Sequence, residues 1–229
     1  MSSKQERSGA MGWTKRIGMG AVIGLGAAAL ASVGYAQYRD RGEQPAYTTV
    51  KKEDAFELRD YEPMIVAEVT HRGDRRQASS RSFRRLAAYI FGQDRPEGGE
   101  KIAMTSPVMQ DRVDQDEKIA MTSPVMQDET ETDVWRMRFV MPSKYTMDRL
   151  PTAPDDITLS EVPGRRVAAV TFSGYGSASD LDDMEGFLTA WIANQGLTPL
   201  GDFEYAFYDA PIVPGQMRRN EVMIEVAVK

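Results

Sequence analysis

The chain has 229 residues, 28 Lys+Arg against 34 Asp+Glu, no cysteine and a single histidine. Without cysteine there is no disulfide framework, no thiolate-ligated zinc or iron–sulfur centre, no thiol nucleophile and no covalent haem attachment; with one histidine there is no multi-histidine metal site within one chain. The net charge of −6 argues against nucleic-acid binding, which depends on neutralising phosphates.

In chain order, the first feature is the run IGMGAVIGLGAAALASVGYAQY at 17–38, which carries no charge and follows Lys15 and Arg16. Residues 1–38 therefore read as a membrane anchor or as a signal segment cut after Ala31 or Ala36, and either reading exports the rest of the chain to the periplasmic side of the cytoplasmic membrane. Without residues 1–36 the net charge becomes −9. Residues 39–50, RDRGEQPAYTTV, read as a polar linker, and residues 51–229 as the folded domain.

FELRDYEPMIVAEVT (56–70) alternates apolar and polar residues on either side of Glu62-Pro63 and predicts two strands. SSRSFRRLAAYIF (79–91) changes to helical spacing, with Phe83, Leu86, Ala87 and Ile90 on one stripe, Ser79 or Ser80 as cap and Gly92 as stop. KIAMTSPVMQD then occurs twice, at 101–111 and 118–128, with a period of 17 residues. Ile102, Met104, Ser106 and Val108 would share one face of an extended strand. The two copies could pair as a hairpin with RVDQDE as its turn, in a segment (111–133) holding eight acids and two bases. VWRMRFVM (134–141) is a strand with Trp135, Met137, Phe139 and Met141 on one face and Val134, Arg136, Arg138 and Val140 on the other.

The second half repeats this order. Strands at 157–162 and 166–173 flank Pro163-Gly164. A helix over 179–195 has Ser179 as cap, Gly196 as stop and Leu181, Met184, Leu188, Trp191 and Ile192 as its stripe. Strands at 203–209 and 220–228 follow. Two helices among about eight strands predict an α+β domain of two pseudo-symmetric halves.

KIAMTSPV, WRMRFVMPSKY, LPTAPDD, VPGRRVAAVTFSG and RRNEVMIEV, in that order, resemble the SOUL haem-binding protein family, and the resemblance runs from about Phe56 to Val228. Doubled K-I-A-M-T-x-P-V motifs are similar to those of a bacterial variant. The resemblance implies a distorted β-barrel flanked by two helices and reversible, non-covalent binding of haem or another tetrapyrrole in an apolar groove, as a carrier, buffer or sensor. Carried onto this chain, the groove lies between Phe83, Leu86, Ala87 and Ile90 on one side and Pro211, Ile212, Val213 and Met217 on the other. Arg84, Arg85, Arg218 and Arg219 are candidates for the propionates. Periodicity alone places the helix stripe in the core.

The strand position that supplies an iron-binding histidine in some members holds Asp60 here. His71 does not match that position and has three readings: a displaced axial ligand, a propionate partner, or an exposed loop residue beside Arg72, Gly73 and Asp74, the last being the ordinary one. Methionines near the motifs (Met104, Met109, Met121, Met126, Met217) are alternative soft ligands or core filling. Glu68, Glu204 and Glu221 could face a cleft, but no paired-carboxylate spacing, nucleophile elbow or phosphate loop supports catalysis. The alternative function is a domain of the same fold that binds or hydrolyses a different small molecule.

Overall fold

A computed structural model describes residues 42–95, 100–113 and 133–227. The apolar run at 17–38 and the second motif copy at 118–128 lie outside the described residues. Among the described residues no helix is long and apolar enough to cross a membrane.

Among the described residues nine strands form one antiparallel sheet. They are β1 (Tyr47–Glu53), β2 (Phe56–Tyr61), β3 (Met64–Arg72), β4 (Val108–Arg112), β5 (Val134–Val140), β6 (Thr158–Val162), β7 (Arg165–Phe172), β8 (Pro199–Phe207) and β9 (Asn220–Val226). Helix α1 (Arg75–Ile90) follows β3 and helix α2 (Ala178–Asn194) follows β7. The sheet order is β1-β2-β7-β9-β8-β4-β5-β3-β6, barrel-like but open, with β1 and β6 at its edges.

This order contains the two halves expected from the repeated element pattern. β3-α1-β4-β5 folds to the strand order 3-5-4, and β7-α2-β8-β9 to 7-9-8; they meet at the β4–β8 pair. Each half's leading strand is exchanged: β2 pairs with β7, and β6 pairs with β3.

Several boundaries differ from the sequence reading, for local reasons. β1 belongs to the folded unit, so residues 42–50 of the segment read as linker are structured: Ala46 O accepts from Glu62 N at 3.0 Å, and Glu43 O from Ser106 N at 2.9 Å. α1 starts four residues before the expected Ser79 because Asp74, not Ser79 or Ser80, caps it; its Oδ1 accepts from the backbone N–H of Arg76 and Gln77. In α2 the cap is Ser177, in a reciprocal box with Asp180. The expected long strand over 101–111 shrinks to Val108–Arg112, because Pro107 has no N–H for the ladder and the backbone before it bonds elsewhere, Ile102 N to Ile90 O at 2.7 Å. The expected hairpin between the motif copies is not what holds β4: β5 fills one edge and β8 the other.

The core has three parts. Leu181, Leu188, Trp191 and Ile192 of α2 pack on Leu58, Ala168, Val170, Val222 and Ile224. Leu86, Tyr89 and Ile90 of α1 pack on Ala67, Val69, Met137 and Phe139. The opposite, helix-free face of the sheet buries Tyr61, Val66, Met109, Val140, Val167, Ala169, Ala206 and Met223. Alternate residues of β7 and β9 thus face two different cores, which is why RVAAVTF and EVMIEV read as nearly continuous apolar runs.

Candidate ligand site

The residues that the resemblance assigns to one groove fall in two places. Leu86 and Ile90 are 0% and 1% exposed, beneath α1. Ala87 is half-buried, and Phe83 sits at the surface, its ring edge-on to Phe139 at 5.4 Å. The second group, Pro211–Met217, forms the loop between β8 and β9 and is tied to a different part of the fold. Gly174 N donates to Gly215 O at 2.9 Å, and Asn220 Nδ2 to Gly174 O at 3.0 Å. The Tyr175 ring lies so close over Gly215 that a Cβ there would sit 2.7 Å from it.

Arg218 joins these pieces. Its guanidinium donates to Val213 O at 2.7 Å and to Pro211 O, and stacks 4.8 Å from the Tyr175 ring centroid. It therefore braces the two carbonyls on either side of Ile212. Held in this way, Ile212 is 92% exposed and Tyr175 is 69% exposed, while Val213 points inward and is buried. Large apolar side chains held outward by a fixed loop are an ordinary feature of a binding surface. Arg75, at the start of α1, donates to Gly176 O at 2.6 Å and brings the first turn of that helix to the same loop. Along the helix, Leu86 lies about 16 Å and Ile90 about 22 Å beyond Arg75.

The outer face of α1 carries a basic patch. Asp74, Arg76, Gln77, Ser80, Arg81 and Arg84 line a shallow surface depression of ≈ 550 Å³. Arg81 donates to Arg72 O, whereas Arg76 and Arg84 have no carboxylate partner among the described residues. Arg85 does not join the patch; it is held by Asp156 and Asp94. Arg219 is likewise engaged, with Glu221 at 2.7 Å and over the Tyr208 ring at 4.0 Å.

His71 is not a loop residue. It lies on β3, opposite Trp135, with Nδ1 2.9 Å from Ser82 Oγ under α1. The loop reading failed because the Arg-Gly-Asp that follows marks the strand's end rather than its interruption. Burial, helped by Arg81, holds the His71 imidazole below its ordinary pKa, so it is neutral at pH 7. Asp60 is held by Arg166 through two hydrogen bonds of 2.6 and 2.7 Å across β2 and β7. Among the described residues no three of His, Asp and Glu converge on a point that could hold a metal ion.

Glu68, Glu204 and Glu221 all lie on the helix-free face, each beside an arginine. Glu221 binds Arg59, Arg219, Thr171 and Tyr208. Glu204 binds Arg165 in two hydrogen bonds and has Arg138 at 3.5 Å, which also lies 3.4 Å from Glu68. Burial opposes the charge on Glu204, but the Arg165 pair outweighs it and keeps the carboxyl below its ordinary pKa. Glu204 and Glu221 are fixed anions, not bases poised near neutrality.

Tyr175, Arg75 and Arg59 were not singled out from the sequence. For Tyr175 the available signal was Gly174-Tyr-Gly176: both glycines have positive φ, and Gly176 also faces the Phe207 ring at a distance that leaves no room for a Cβ. Arg59, inside an alternating strand, carries no such mark.

The fold is shared with solved structures of low sequence identity. The C-terminal domain of EcmrR aligns with TM-score 0.53 at 12% identity, covering 79% of this chain and 98% of that one. An uncharacterised conserved protein from Listeria innocua gives 0.52 at 11% identity, covering 76% and 93%. A hydrolase from the same organism gives 0.50 at 11%, covering 78% and 94%. At such identities the likeness concerns the fold alone. No curated protein matches the chain in sequence. The family comparison reaches further, because the SOUL heme-binding protein model matches residues 42–225, all but the last few residues of the folded unit. The chain belongs to the SOUL heme-binding protein family.

Proposed function

We propose that this protein binds haem or a related tetrapyrrole reversibly and without a covalent bond, and that the ligand rests on the surface formed by Tyr175 and the 211–217 loop. Family membership supports the ligand class; the family is described by what it binds rather than by a reaction. The observation that carries the location is Ile212, almost wholly exposed yet held in place by the Arg218 brace. A flat, mostly apolar ligand covering Ile212 and Tyr175 gains roughly 25 cal/mol per Å² of apolar surface removed from water. Arg76, in the first turn of α1, and Arg84 further along are cations with no carboxylate partner among the described residues, and they suit the ligand's carboxylates. Phe83 borders the same outer face.

The axial position is open in this reading. His71 Nδ1 is engaged by Ser82, and Met217 stands in the loop itself. The N-terminal run supports placing the domain in the cell envelope, anchored or exported; a mature chain starting at Ser32 or Gln37 would select the cleaved form.

Haemin titration of the protein tests the proposal. A saturable Soret shift near one equivalent is expected. Ile212→Asp should raise Kd about tenfold or more, the loss of about 1.4 kcal/mol. His71→Ala should leave the spectrum unchanged. No saturable shift, together with binding of another apolar molecule, would assign the protein to the same-fold alternative whose ligand is not haem.

A further inference from the structure

The repeated motif is longer than the strand it builds. Counting the glutamate that precedes each copy, residues 100–111 and 117–128 are identical, EKIAMTSPVMQD. Among the described residues the end of the first copy, Val108–Asp111, fills the slot between β5 and β8.

Among the described residues, every hydrogen-bond partner of the first copy lies outside it. Arg95 donates to Glu100 O at 2.6 Å, and Ile90 O accepts from Ile102 N. Thr105 Oγ1 donates to Val140 O, and Ser79 Oγ donates to Gln110 Oε1 at 3.0 Å. Arg136 holds Asp111 at 2.6 Å. Met109 is buried against the helix-free core. Glu117, Ile119, Thr122, Met126, Gln127 and Asp128 offer the same atoms in the same order.

The connections permit either choice. With the first copy in place, β4 is joined to β5 by residues 113–133. With the second copy in place, the same strands would be joined by residues 130–133, within the usual two to five residues of a β-hairpin loop. The surplus of 17 residues would move to the connection after α1. Because loop closure cost grows only as the logarithm of length, lengthening one connection while shortening the other nearly cancels.

Among the described residues, those that follow the motif distinguish the copies. Arg112 pairs with Asp133 at 2.6 Å, and Val113 is buried with its N–H on Val134 O. In the other threading Glu129 would stand beside Asp133, and Thr130 would replace Val113. These favour the first copy; the shorter hairpin favours the second.

We infer that the slot between β5 and β8 accepts either motif copy, so that the chain has two native threadings differing by a 17-residue shift. This inference does not depend on the haem reading. Deletions cannot test it, since removing 101–117 or 112–128 leaves the same polypeptide. Point variants of the full chain can. Met109→Asp and Met126→Asp should each lower Tm by no more than about 5 °C, while the double variant loses the cooperative transition. If Met109→Asp alone is as damaging as the double variant, the inference is overturned. Cross-linking provides a second readout, because the chain has no native cysteine. Met109 lies opposite Ala206 in the β4–β8 register. On oxidation, Ala206→Cys should form a disulfide with Met109→Cys in one protein and with Met126→Cys in another. A bond with position 109 only would show a single threading.

Discussion

Replacing Glu221 by alanine should cost the fold about 3–5 kcal/mol, measured by chemical denaturation, whatever it does to ligand binding. Glu221 is 0% exposed and accepts from Arg59 Nη1 and Nη2 at 2.8 and 2.9 Å, from Arg219 at 2.7 Å, from Tyr208 OH at 2.8 Å and from Thr171 Oγ1 at 3.1 Å. Removing the carboxylate leaves the buried Arg59 guanidinium with only Glu57 to balance it, at the outer end of the network. The hydroxyl of Tyr208 loses its acceptor as well. A leucine in place of Arg59 combined with Glu221→Leu should cost less than Glu221→Ala alone, since the fully buried guanidinium leaves with its partner and only the part-exposed Arg219 loses its carboxylate. The same group sets an acid limit on stability. Burial opposes ionisation of Glu221, but Arg59 and then Arg219 outweigh it and lower its pKa from 4.5 to about 2. A folded pKa below the unfolded one contributes stability that is fully present above about pH 4.5 and is lost as pH falls toward 2. Denaturation midpoints followed over that window should fall steeply for the native chain and less steeply for Glu221→Gln, which has no charge to lose.

The second large effect separates core from groove on α1. Leu86→Ala should lower stability by about 2–5 kcal/mol, as for a fully buried leucine. In the protein that remains folded, haemin affinity should stay within about twofold of the native value. Leu86 is in one cluster with Val69, Met137 and Phe139, and no part of it faces solvent. A ligand-contacting leucine would give the opposite pattern, weakened binding with little loss of stability. Paired with Ile212→Asp, this substitution decides whether the ligand sits along α1 or on the loop at its start.

Strands β2, β3, β5, β6, β7 and β9 were legible because alternation or short apolar runs ended by Pro and Gly carry a strand's period directly. β1 was not, because YTTVKKE is an exposed edge strand with no buried face to print a period. The start of α1 was hidden by its two arginines, which obey the capping chemistry of Asp74 but add nothing to an apolar stripe. At the site, residue types were easier to read than places. The helix stripe has the period of a core, and its spacing says so; assigning it to a groove came from resemblance, which fixes sequence position but not the distance between two elements. Glu204, Glu221, Arg59 and Arg165 look like solvent-facing residues of amphipathic strands. Their pairing is visible only once strands far apart in sequence are adjacent, Arg59 and Glu221 being 162 residues apart. His71 is similar: Ser82 is eleven residues later, and only the packing of α1 on β3 brings the two together.

The exchange of leading strands between the halves has a consequence for how the domain comes apart. β2 completes the sheet of the second half, and β6 that of the first. A half released on its own would lose one neighbour of β7 or of β3 and uncover the four-residue β4–β8 seam at the same time. Neither half is then an independent folding unit, despite their internal likeness. The domain should cross a single barrier between native and denatured states, with its slowest hydrogen exchange in β5 and β9, the centres of the two halves, and in β3 and β7, which hold the exchanged strands.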